Sequence, residues 1–271
     1  MSAKTSKRII ERQYATKNIP SFDRGPVGDG TVANIAARKY WVNSDPVSTA
    51  FFSALALSFP MEKQFSIAAL TAIKNRLSLG ARDQMKPFIF SESLRGRAYS
   101  LFNRTNIYPR FDVAPVEKII STTIDNEMGK SPETRLLHAI CMEHILVTIA
   151  QELIGKTTHF WSVDADIREL WLCHSISEIE QRSVTFNAWL DLTSGWGSTR
   201  RWLTQSLAML VVSFVFSKNS INAMLIFLEQ DGMSRPQAIA QIVKGQLNRG
   251  SFFRGVLRRW FRFLKPGFHP E

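Results

Sequence analysis

From residue 47 onward the chain is full of helix starts and stops and has almost nothing to hold a strand. β-Branched runs with a period of two are absent, and no Asn-Gly or Asp-Gly turn joins two alternating segments. Ser131 before Pro132 and Glu133 is an N-cap with proline at the first helical position. Gly155 closes a long apolar-periodic run, as helix ends often do. After Asp231-Gly232, Ser234 with Gln237 has the form of a capping box. Gly195, Gly197 and Ser198 separate two long helical patterns. The spacing predicts helices over about 47–58, 61–79, 82–104, 113–127, 131–155, 164–192, 199–229, 234–247 and 250–264. The economical arrangement is an all-α fold, a long-helix bundle with additional C-terminal helices.

Composition agrees with a packed body. Of the 271 residues 45% are apolar and 21% charged, which excludes wholesale disorder. The first 35 residues, with Pro20, Gly25, Pro26, Gly28 and Gly30, read as an irregular basic arm. Residues 36–271 read as a single helical domain, its bundle core at about 47–192 and its C-terminal helices at about 199–264. Two cysteines, Cys141 and Cys173, cannot build a disulfide framework. Residues 1–20 hold five cations and no apolar segment, so no secretory leader is expected. A reducing, cytoplasmic compartment is the simplest reading.

The net charge is +11, from 34 Lys+Arg against 23 Asp+Glu. Six cations and no acid lie between Arg249 and Lys265, interleaved with five aromatic residues. This C-terminal segment has two readings. It could rest on an anionic membrane surface at the inner face, through Arg254, Arg258, Arg259, Trp260 and Arg262. Alternatively, its apolar face completes the core while its arginines are solvated. Nucleic acid is not an expected partner, because no recognition motif accompanies the charge. Leu207–Phe216 is apolar but too short for a span of roughly 20 residues. It reads as a buried bundle helix, with a homodimer contact or a membrane-embedded hairpin as the alternatives.

Three glutamates fall within helical patterns that are otherwise strongly apolar: Glu92, Glu143 and Glu178. A carboxylate there is costly unless it is paired or ligated. His144 follows Glu143, and His174 precedes Glu178 by four residues, on one helical face. Taken singly, each glutamate is more simply an ion-pair partner. Together they match the inward carboxylates of a dimetal four-helix bundle. No nucleophile elbow, phosphate-cradling loop or His-Glu-x-x-His motif is present.

At these residues the chain resembles the bacterial predicted metal-dependent hydrolases, a helical family with ferritin-like ligand logic. The resemblance runs from about Trp41 through WVNSDPVSTAFFSALALSFP, ICMEHILVTIA, LWLCHSISEIEQRSVTFN and the terminal Pro266–Pro270. It implies a bundle holding one or two divalent ions (iron, manganese or zinc) and hydrolase or diiron-type oxidase chemistry. The departures matter as much. Positions that the resemblance assigns to metal ligands carry Lys63, Arg95 and Gln181, and Ser91 replaces a glutamine. Glu92, Glu143, His144, His174 and Glu178 remain as remnants.

Two permanent cations beside three carboxylates would replace the ions with internal pairs and repel an incoming divalent cation. The expectation is therefore a divergent, metal-free member that binds an apolar or lipid-like molecule. Its rivals are an active enzyme with an altered ligand set and a basic binding module. Glu62 or His138 turned inward would favour the enzyme.

Overall fold

The computed structural model describes residues 40–247 and 252–270. The arm expected over residues 1–35 lies outside the described residues, as does Arg249. The described residues contain no strand. In chain order the helices are α1 (Pro46–Ile73), α2 (Leu79–Phe102), α3 (Ala114–Met128), α4 (Pro132–Gly155), α5 (Ala165–Gln181), α6 (Val184–Leu192), α7 (Ser198–Gln230), α8 (Arg235–Leu247) and α9 (Phe252–Trp260). The hairpins α1–α2 and α4–α5 pack into a ferritin-like four-helix core, and α7 lies across α1 and α4.

Helix α1 corrects the sequence reading, which placed a break at Pro60. Its N-terminus is capped by Asp45, whose carboxylate accepts from Ser48 N at 2.6 Å, with Pro46 in the first turn. The helix then runs through Pro60 without ending. Proline at that position leaves the Ala56 carbonyl without its usual donor. Asn103 supplies the missing bond from another element, its Nδ2 donating to Ala56 O at 2.9 Å. A tertiary contact thus makes an interior proline tolerable, and α1 stays long enough to carry both its N-terminal aromatics and Lys63.

A second correction concerns 164–192, which is two helices separated at Arg182 and Ser183. The Arg182 guanidinium donates to the Ile179 and Pro270 carbonyls, tying the end of α5 to the C-terminal segment. His269 adds a bond to Asn187 at 2.9 Å.

Aromatic rings close the core at one end. Trp41, Phe52, Phe160 and Trp171 form mostly edge-on pairs, with Phe52 and Trp171 centroids 5.2 Å apart. Phe59 and Tyr99 carry this layer to the centre of the bundle, 4.5 Å apart. Helix α4 is buried on nearly every side, which explains why apolar residues fall all round it between its few ionisable ones.

Most apolar side chains of the C-terminal helix face the core. Phe252, Phe253, Val256 and Trp260 pack on the core, and Phe253 meets Phe51 at 5.0 Å. Trp260 Nε1 donates to Ser213 Oγ at 2.7 Å. Arg259 pairs with Glu152 of α4, which is 1% exposed. Arg259 and Trp260 are therefore held by the protein rather than offered as surface contacts, whereas Arg254, Arg258 and Arg262 are exposed.

Candidate functional site

Four helices deliver ionisable groups to the bundle centre. Lys63 comes from α1, Glu92 and Arg95 from α2, Glu143 from α4, and His174 and Glu178 from α5. All six residues are buried. At Gly96 a Cβ would sit 3.7 Å from Lys63 Cβ, an ordinary van der Waals contact, so α2 and α1 pack closely here without depending on the glycine.

The Lys63 ammonium lies 3.1 Å from Glu92 Oε2 and in contact with Glu178 Oε1. Arg95 pairs with Glu92 on its own helix, and its Nε lies 3.7 Å from Glu178 Oε1. Two cations thus neutralise two carboxylates. Burial alone would raise Glu178, but Lys63 and then Arg95 outweigh it and hold the carboxyl at about 2.

Arg95 also bonds to two polar side chains. Arg95 Nη1 donates to Ser91 Oγ at 2.8 Å and Arg95 Nη2 to Gln181 Oε1 at 3.1 Å. Gln181 Nε2 closes the triangle on Ser91 Oγ at 2.9 Å. Ser91, Arg95 and Gln181 form one connected network.

His174 packs at a tilt on Phe59 at 4.5 Å and edge-on to Tyr99 at 5.0 Å, with Nε2 3.7 Å from Glu178 Oε1. Burial pushes it down to about 3, so it is neutral at ordinary pH. His144 does not join this centre. Its ring faces Phe263 and Phe268, centroids 5.0 and 5.2 Å away, in a separate small cavity. One residue along a helix turns ~100°, so Glu143 and His144 face different neighbours around α4.

Glu143 takes a hydrogen bond from Thr185, while its Oε1 has no protein partner. Burial raises its carboxyl to about 7. Glu62, its end enclosed although the residue is only half-buried, is likewise raised to about 7 by burial. Both line a cavity between α1, α3, α4 and α7. The cavity volume is about 100 Å³. The walls are mostly apolar, among them Leu55, Ile120, Met142, Leu146 and Val212. Among the lining residues, Asn219 Nδ2 of α7 donates to Thr123 Oγ1 of α3 at 2.8 Å.

His138 also lines this cavity, paired through Nδ1 with Glu127 at 2.6 Å, while Lys130 holds the other Glu127 oxygen at 2.7 Å. Sequence reasoning missed the Glu127–His138 pair and Thr185, because contacts between helices leave no periodic trace. Cys141 is buried and its thiol is pushed up by burial, so it is no nucleophile.

The family model described as predicted metal-dependent hydrolase matches residues 31–271. The chain belongs to this family. No curated protein and no solved structure matches it. The metal that the predicted metal-dependent hydrolase name implies does not fit the described side chains. Among the described residues no group of three or more His, Cys, Asp and Glu could hold an ion. The Glu92 and Glu178 oxygens that would have to face a metal already bind Lys63 and Arg95.

Proposed function

We propose that this member of the family works without a metal and binds an apolar, lipid-like molecule in the cavity beside its ion-paired centre. The observation that carries the reading is the Lys63 ammonium, held by Glu92 of α2 and Glu178 of α5. An ammonium in that place does the structural work of a cation, so the two carboxylates need no metal ion to balance their charge. The ligand space lies to one side. It combines hydrocarbon walls with the unpartnered Glu62 and Glu143 oxygens, enough for one polar group on an otherwise apolar ligand.

The test is a titration with the apolar fluorophore N-phenyl-1-naphthylamine, using the parent chain and Val215→Trp, which adds bulk at the α7 wall of the cavity. Binding by the parent and a loss of tenfold or more in the variant are expected. An equal response from both proteins contradicts the reading.

A second reading keeps an active hydrolase or diiron-type oxidase with an altered ligand set. The observation in its favour is that Glu62, Glu143 and His138 all face one cavity. Against it, His138 is committed to Glu127 and Lys63 to the opposing carboxylates.

A further inference from the structure

Helix α7 is long and apolar enough to cross a bilayer, yet only 28% of its most apolar window is buried. Its inner face holds Ala208, Met209 and Val212 in the core. Its outer face presents Leu203, Leu207, Leu210 and Phe214, which are 54%, 64%, 51% and 71% exposed. Their steps of four, three and four residues set them in one stripe along the helix. A monomer rarely leaves so continuous an apolar ridge in water.

Helix α9 is fastened alongside. Trp260 reaches Ser213, and Trp202 Nε1 of α7 donates to Leu264 O at 2.9 Å. The outer edge of the C-terminal segment therefore adds Leu257 and Phe261, each 53% exposed, with Arg254, Arg258 and Arg262 around them. Charge is concentrated in the same part of the chain. From Leu192 to Pro270 there are eleven Lys and Arg, and the acids are Glu229 and Asp231. That stretch supplies nine of the eleven net positive charges of the whole protein.

We infer that the outer face of α7 and the adjoining edge of the C-terminal segment dock on an anionic membrane surface, with α7 lying along it. Inserted leucine and phenylalanine side chains supply apolar burial, and the arginines meet lipid phosphates. Crossing the bilayer would strip the inner face of α7 from α1 and α4, so the helix rests in the interface. A second copy of the chain is the weaker occupant, since self-association through this face brings two strongly cationic segments together without an acidic complement.

The test is co-sedimentation of the full chain with phosphatidylcholine vesicles, with and without phosphatidylglycerol, at low and high salt. Binding is expected to need the anionic lipid and to weaken with salt. Leu207→Ser with Phe214→Ser, both exposed and so harmless to the fold by circular dichroism, should reduce it about tenfold or more. Arg254→Gln with Arg258→Gln and Arg262→Gln should reduce it on the order of a hundredfold. Binding unchanged by either set overturns the inference. So does failure to bind anionic vesicles together with a dimer that the Leu207→Ser and Phe214→Ser pair dissociates, a result that assigns the face to contacts between copies.

Discussion

Lys63 Nζ lies 3.1 Å from Glu92 Oε2, joining α1 to α2 through two residues that are 2% and 1% exposed. The same ammonium also binds Glu178, so one side chain draws three helices together. Arg95 alone cannot replace it, because its guanidinium is shared among Glu92, Ser91 and Gln181. Lys63→Met keeps the length of the side chain and removes the charge. It should cost about 3–5 kcal/mol, the usual penalty for stranding a buried ionic partner. Urea unfolding measures this directly, and a loss under about 1 kcal/mol would mean that the network is incidental.

The pH dependence has two parts of opposite sign. Burial raises Glu143 and Glu62 from 4.5 to about 7. A carboxyl raised on folding contributes stability that is complete below about 4.5 and lost as the pH climbs through about 7. Glu143→Gln mimics the protonated form and abolishes that loss. The variant should be more stable than its parent above pH 7 by an amount on the order of a few kcal/mol, the gap closing toward pH 4.5. Glu178 acts the other way: held at about 2, it contributes stability present above 4.5 and lost on further acidification. His174, lowered from 6.5 to about 3, adds to the acid loss, beginning below 6.5. Urea midpoints of parent and variant from pH 2 to 8 test these signs.

Gly255 faces the Glu152 carboxylate so closely that a Cβ there would overlap it. Glu152 cannot simply swing away, because it holds Arg259, Lys156 at 2.9 Å and His159 at 3.2 Å. Gly255→Ala should therefore cost about 1–3 kcal/mol, as overpacking does. The damage should be local: hydrogen exchange is expected to rise over residues 252–264 and stay unchanged in α1 and α2. Uniform acceleration across the chain would contradict this placement of the strain.

The helical class was legible because caps such as Ser131-Pro132 and apolar periodicity are local signals, and α4 (Pro132–Gly155) lies within a residue of its predicted span. Pro60 misled for an equally local reason. Its compensation comes from Asn103, 47 residues from the Ala56 carbonyl it bonds, and no pattern near Pro60 announces that bond. Glu92, Glu143 and Glu178 could be singled out because a carboxylate in an apolar stripe needs a partner. Which partner each takes is a matter of helix packing. His144 shows the limit: adjacent to Glu143 in sequence, it faces Phe263 and Phe268 in a different cavity. The C-terminal aromatics left membrane and core readings open, since an amphipathic pattern says which face is apolar and not what covers it. Phe252, Phe253 and Trp260 went to the core and Phe261 did not.

Metal content tests the central claim most directly. Untagged protein should be analysed for iron, manganese and zinc as purified, and again after incubation with each ion and washing. The ion-paired centre predicts substoichiometric metal that washes off, with no change in the urea midpoint on adding any ion. One or two tightly held ions per chain, lost in Glu143→Ala or Glu178→Ala, would contradict it and make the chain an enzyme with an unusual ligand set.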